Sequence, residues 1–166
     1  MRLTSIVLLT VIFAVGCSQS SPVRPDSSTT DSTAIVIPDP GAGGGRPLTA
    51  TLRVEEEVPA CNEPAPPARG TATISLNVGL GQVCWVIDVQ NADPPFTGAH
   101  IHEAPPGVAG PIVVPFTTPN TSGHTEGCTS VDRELVKDIL QNPEEYYVNV
   151  HNRTCPGGVA RGQLSK

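Results

Sequence analysis

Four histidines occur in this 166-residue chain, and two of them form the pair His100-Ile-His102 inside Gly98-Ala-His-Ile-His102. Residues two apart in a β-strand face the same way, so His100 and His102 project from one face while Ala99 and Ile101 point to the other. A third, His151, ends Tyr147-Val-Asn-Val-His151, where Tyr147, Asn149 and His151 share the face opposite Val148 and Val150. A His-x-His pair joined by a distant histidine is a ligand set for copper or zinc, because neutral imidazole nitrogens suit both ions. The condition is that the two strands are neighbours or meet across a rim. His124, in Thr121-Ser-Gly-His-Thr125, is a possible fourth ligand. A structural role competes with the metal role, with the ring nitrogens bonded to backbone carbonyls or to Glu103 and Asn149.

The elements that must position these side chains read as β. Short alternating runs separated by Gly, Pro and Asn span 48–55, 71–78, 83–90, 97–103, 111–116, 146–151 and 159–164. About seven antiparallel strands in one domain imply an all-β Greek-key sandwich. One segment departs from the pattern, because Val131, Leu135, Val136, Ile139 and Leu140 follow a 3.6-residue period. It predicts a short helix over 131–141, capped by Ser130 or Thr129, with Asp132 and Glu134 at its positive end and Pro143 as its stop. With few aromatic residues, the core is expected from Val, Ile, Leu and Ala around Trp85.

The quoted segments carry a family resemblance. Glu57-Val-Pro59, Gly70-Thr-Ala-Thr-Ile-Ser-Leu76 leading into Val83-Cys-Trp-Val-Ile-Asp-Val89, Gly107-Val-Ala-Gly-Pro-Ile-Val-Val-Pro115, the two histidine segments and Pro156-Gly-Gly-Val-Ala-Arg-Gly-Gln-Leu164 occur in that order. Over residues 47–166 the chain resembles the chordin-type domain, CHRD. The resemblance implies an extracellular module that is not an enzyme, with no cofactor required, displaying a surface for a protein or glycan ligand. In animal chordin such domains sit within a growth-factor antagonist. Copper-zinc superoxide dismutase, also a β-sandwich with a His-x-His pair, is a poorer match, since four histidines cannot supply both of its metals.

The N-terminal region predicts where the domain is displayed. Residues 1–16 read as a signal peptide, with Arg2, an apolar run from Leu3 to Val15 that is too short to span a bilayer, and Ala14-Val-Gly-Cys17 at its end. Gly16 before Cys17 resembles a bacterial lipobox, which makes Cys17 the lipidated N-terminus and the lipid bilayer a partner; an ordinary secretory signal is the alternative. Residues 17–46 are rich in Ser, Thr, Pro, Asp and Gly and read as a disordered tether with a span of about 30 Å. The expected location is therefore the extracytoplasmic face of a cell membrane.

Cys61, Cys84, Cys128 and Cys155 remain after Cys17, an even number in an exported chain, which predicts two disulfides with three possible pairings. The family resemblance favours Cys84 with Cys128, leaving Cys61 with Cys155. No Cys-x-x-Cys spacing supports a zinc ribbon or a thiol redox site. A net charge of -6 with scattered arginines argues against nucleic acid and against an anionic membrane surface as partners. Glu55-Glu-Glu57 reads as a solvated acidic face or a carboxylate source for calcium. Asp88 is expected to point outward, and Arg161 is expected to form a salt bridge with an acid such as Glu57. The sequons at Asn120 and Asn152 have meaning only in a eukaryotic secretory pathway. No nucleophile elbow, phosphate loop or glycosidase-like carboxylate pair is present.

Overall fold

A computed structural model describes residues 47–62 and 66–166; the signal peptide, Cys17 and the tether lie outside the described residues. The domain is built from eight strands: β1 (Leu48–Arg53), β2 (Arg69–Asn77), β3 (Gln82–Gln90), β4 (Phe96–Glu103), β5 (Ile112–Pro115), β6 (His124–Ser130), β7 (Tyr146–Asn152) and β8 (Ala160–Gln163). One helix, α1 (Arg133–Gln141), lies between β6 and β7. All eight strands belong to one antiparallel sheet in the order β5-β4-β7-β8-β1-β2-β3-β6, curled into a half-barrel. The class is all-β with one short helix, as expected. Hydrogen bonding runs continuously through one sheet, which has eight strands where about seven were expected.

The additional strand is β6. Its sequence His-Thr-Glu-Gly-Cys-Thr-Ser lacks the apolar alternation that marks a strand. It forms because β3 offers a ladder from Asp88 to Gln82, along which His124 to Ser130 pair in register. Gly127 sits opposite Trp85, which stacks on Phe116 with ring centroids 4.5 Å apart. Cys84 and Cys128 are direct cross-strand partners with Cα atoms 4.0 Å apart, and they form one disulfide. Cys61 and Cys155 form the other, with Cα atoms 5.8 Å apart. On the chain-entropy model, closing separations of 44 and 94 residues contributes about 4 and about 4.7 kcal/mol.

The buried apolar side chains lie on one face of the sheet. Leu48, Ala50 and Leu52 alternate with outward Thr49, Thr51 and Arg53 in β1, and Ile101, Val148, Val150 and Ala160 continue that core through β4, β7 and β8. Helix α1 adds Val136 and Ile139 to it. Asp132 caps this helix, accepting from the backbone N–H groups of Glu134 at 2.8 Å and Leu135 at 3.4 Å. The cap therefore falls two residues later than Ser130, where the turn leaving β6 puts an acidic side chain against the free amides. Asp132→Ala is expected to lower stability by about 1 kcal/mol, as read by chemical denaturation.

Strand β7 breaks the one-sided rule, since every residue from Tyr146 to Asn152 is buried. Tyr146, Val148 and Val150 face the core, so Tyr147, Asn149 and His151 are covered from the opposite side. Three connections supply the cover: the stretch after β1, the β4–β5 loop and the β7–β8 turn, through Glu57, Gly110 and Pro156 respectively. Disulfide Cys61–Cys155 ties the first of these to the third.

Candidate metal site on the β4–β7 face

Strands β4 and β7 are hydrogen-bonded neighbours, which meets the condition set by the sequence. Gly98 pairs with His151, His100 with Asn149 and His102 with Tyr147. Alternation puts all three histidines on the outer face, where their ring centroids lie 5.0 Å (His100–His151), 5.6 Å (His100–His102) and 5.8 Å (His102–His151) apart. One nitrogen from each ring lies within 4.8 Å of those of the other two. Three points so related share a centre no more than about 2.8 Å from each, against metal–imidazole bonds of about 2.0–2.1 Å. Rotations of a few tenths of an ångström to one ångström close that difference.

The hydrogen bonds decide which nitrogens are offered. His102 Nδ1 lies 2.9 Å from the Gly110 carbonyl and His151 Nδ1 lies 3.1 Å from the Pro156 carbonyl. A carbonyl only accepts, so each Nδ1 carries the proton and each Nε2 keeps a lone pair. His102 Nε2, His151 Nε2 and His100 Nδ1 are all buried without a hydrogen-bond partner. Buried polar atoms left unpaired are rare and costly. Metal-binding histidines typically donate their second nitrogen to a carbonyl or carboxylate, which fixes tautomer and ring direction. The structural reading thus holds for one nitrogen of His102 and one of His151, with backbone carbonyls as partners in place of Glu103 and Asn149. The other nitrogens remain available.

Electrostatics keep the rings neutral. Burial pushes His100 down to about 4, reinforced by His151 and His102. Burial also lowers His102 and His151 below their ordinary value, against the opposing pull of the carbonyls of Gly110 and Pro156. At neutral pH no proton competes with a metal ion for these lone pairs.

The flanking residues hold the rings in place. The Tyr147 ring stacks on His102 with centroids 4.8 Å apart and planes 11° apart, and the Arg161 guanidinium carbon lies 3.4 Å from the centroid of the Tyr147 ring. Tyr147 Oη accepts from the Gly110 N–H at 3.1 Å, which also pins the loop that holds His102. At Gly98 an added Cβ would come within 2.9 Å of the His100 ring. Gly98→Ala should therefore swing His100 out of the cluster, lowering metal affinity about tenfold or more while changing the melting temperature little. Calorimetric metal titration and thermal unfolding of the same variant check both halves.

Several sequence expectations resolve differently. His124 stands on β6, paired across the strands with Asp88 at 2.8 Å, and is not part of the histidine cluster. With His124 excluded, a four-histidine copper site is excluded too. The acids 55–57 do not gather on a calcium ion: Glu55 and Glu56 are exposed on a short 3-10 turn, while Glu57 turns inward and is 4 % exposed. Its Oε2 accepts from Asn149 Nδ2 at 3.3 Å. Arg161 does not form the expected salt bridge with Glu57; it donates to the Pro105 carbonyl at 3.3 Å and lies over Tyr147. Its field lowers Glu57, but burial outweighs it and raises that carboxyl to about 8.

The sequence offered Glu57 and Asn149 in other roles and concealed their burial against each other, and the signal that marks it is Gly158. That glycine has φ +142, and a Cβ there would lie 2.2 Å from Glu57 Oε2 and 2.5 Å from the Asn149 amide. Position 158 of the Pro156-Gly-Gly-Val159 turn requires glycine because these two polar side chains pass beneath it.

No described helix is long and apolar enough to cross a membrane. Neither a curated protein nor a solved structure matches the chain. A family model does: the CHRD domain, matched over residues 48–164, from the first residue of β1 to just beyond β8. That span takes in the whole sheet, the helix and the histidine cluster, and the chain belongs to the CHRD domain family.

Proposed function

We propose that this protein is an extracytoplasmic lipoprotein, anchored in the bilayer through Cys17, whose CHRD domain is a non-catalytic binding module with a transition-metal ion as its ligand. The observation that carries the metal assignment is the set of three unpartnered ring nitrogens, His100 Nδ1, His102 Nε2 and His151 Nε2, on rings that converge within 5.8 Å. Imidazole-only sites suit copper and zinc. Three protein ligands leave a coordination position open, as in zinc sites that accept an exogenous ligand. Buried rings and carbonyl-fixed tautomers support a site that is set before the ion arrives. Two disulfides and the extracellular habit of the family agree with an oxidising compartment outside the cytoplasm.

Calorimetric titration of the detergent-solubilised full chain with Cu(II) and Zn(II) tests the assignment. One ion per chain is expected, with copper the tighter of the two in keeping with the general order of divalent affinities. Failure of both ions to bind below micromolar concentrations would leave the histidines as packing groups. Labelling with a lipid precursor, compared between the chain and Cys17→Ala, tests the anchor independently.

A further inference from the structure

The sheet register reveals a second arrangement on the outer face, one that shares only Arg161 with the surroundings of the histidine cluster. Arg53 of β1 is the direct cross-strand partner of Arg161 on β8 and of Arg69 on β2. Three arginines therefore stand in one row across three adjacent strands, on the face opposite the core, in a chain of net charge -6 with only ten Lys and Arg residues. Like charges placed directly opposite one another destabilise a sheet. Neutralisation by nearby acids would remove that cost, yet the ion pairs among the described residues are His124 with Asp88 and Glu126, and Lys137 with Glu134. None involves the row.

The surroundings of the row are polar and concave. On one side of Arg53 a depression is lined by Thr51, Glu55, Arg69, Thr71, Asp88 and Gln90; on the other by Thr51, Glu56, Arg161 and Gln163. Thr51 and Thr71 are themselves cross-strand partners, and Asp88 follows Thr71 on β3. A second row of hydroxyl and carboxylate groups thus runs beside the arginine row. Arg53 and Arg69 are exposed, whereas Arg161 is 2 % exposed and forms the floor at one end.

We infer that the β8–β1–β2 face binds an acidic glycan, with Arg53 and Arg69 taking carboxylates of successive uronate residues and Thr51, Thr71, Gln90 and Asp88 taking sugar hydroxyls. Adjacent strands lie about 4.8 Å apart, close to the length of one pyranose in a linear chain. Charges on consecutive sugars can then fall opposite consecutive arginines. The guanidinium fork matches a carboxylate in a bidentate fashion, and the interleaved threonine, glutamine and aspartate side chains supply the donors and acceptors that a sugar ring requires. Nucleic acid is the poorer occupant, because its bases call for aromatic stacking platforms and the lining of this face holds no aromatic side chain. The inference rests on the binding-module reading but not on the histidine cluster.

The test is calorimetric titration of the detergent-solubilised full chain, with chelator present to remove metal, using oligogalacturonate as the probe and a neutral glucose oligomer as control. Saturable binding of oligogalacturonate is expected, weakened about tenfold in Arg53→Gln and in Arg69→Gln and unchanged in Arg153→Gln. Absence of binding, equal binding of the neutral oligomer, equal weakening in Arg153→Gln, or displacement by inorganic phosphate at equal concentration would each overturn it. A metal titration of the protein after the chelator has been removed shows whether the histidine site stands when the glycan proposal falls. Circular dichroism of the two arginine variants, whose side chains are exposed, verifies that they are folded.

Discussion

His151→Ala and His102→Ala are each expected to weaken copper and zinc binding by more than the roughly 10–100-fold that follows loss of an outer partner of a metal ligand, while His124→Ala leaves binding unchanged. Each of the first two removes one of three converging nitrogens, and two remaining imidazoles hold either ion only loosely. His124 provides the internal control because it is also an imidazole on the same sheet, yet it stands on β6 and is engaged with Asp88 of β3. Equal losses from all three variants would point to adventitious binding by surface imidazoles. Truncation of His102 or His151 also opens a small void beside Tyr147 or Pro156, so thermal unfolding of the metal-free variants is the companion measurement. A modest, similar fall in melting temperature for both separates packing from coordination.

Glu57→Gln is expected to stabilise the domain at neutral and higher pH, the opposite sign from most substitutions of a buried residue. The folded carboxyl is raised by burial from 4.5 to about 8. Between those two values the unfolded chain releases a proton that the folded chain keeps, so stability is fully present below 4.5 and is lost as pH rises toward 8. At pH 7 the cost amounts to as much as about 3 kcal/mol, and its removal raises the melting temperature by on the order of 10 °C for a domain of this size. The geometry favours the amide further. Glu57 Oε1 and Asn149 Oδ1 are both buried without a partner, and a glutamine at position 57 brings an N–H donor that can satisfy Asn149 Oδ1 while its oxygen still accepts from Asn149 Nδ2.

The histidines bend the same pH profile in the other direction. Their folded values lie below 6.5, so their contribution is present above 6.5 and is lost as pH falls through the folded values. The natural chain therefore has a stability maximum set by two opposing slopes. Glu57→Gln should retain only the acid-side slope, with stability level above pH 6.5. Denaturant midpoints between pH 4.5 and 8.5 distinguish the two shapes. A variant that still loses stability toward pH 8 would show that another group carries the alkaline slope.

The candidate site was legible in the sequence because it depends on local period. Alternation within Gly98-Ala-His-Ile-His102 and Tyr147-Val-Asn-Val-His151 settles which way each histidine faces, whatever the rest of the fold does. Strand order is a different matter, since it is set by contacts between residues far apart in sequence. The pairing of β1 with β8 joins Arg53 to Arg161 and brings the stretch after β1 over β7. Nothing local in Glu55-Glu-Glu57 marks the third acid as buried, so the run read as a solvated face. The arginine row was hidden for the same reason: Arg53, Arg69 and Arg161 look isolated until the register of three strands is known. Strand β6, and with it the placement of His124 away from the cluster, was missed because a strand of Thr, Gly, Ser and Cys forms by pairing on β3, not by its own apolar pattern. The helix showed the reverse balance, with its apolar face evident from Val136 and Ile139 and only its cap displaced to Asp132.

The covering loops join the fold to the site. His102 and His151 owe their open Nε2 atoms to carbonyls from Gly110 and Pro156, on two separate connections. Disulfide Cys61–Cys155 fastens the residue just before Pro156 to the stretch that carries Glu57. The anomalous-scattering crystal structure of the copper- or zinc-loaded chain tests the central claim most directly. The account predicts a single peak about 2.0–2.1 Å from His100 Nδ1, His102 Nε2 and His151 Nε2, with the Gly110 and Pro156 carbonyls still bonded to the opposite nitrogens. A peak instead between His124, Asp88 and Glu126, or no peak with the three rings in place, would contradict it.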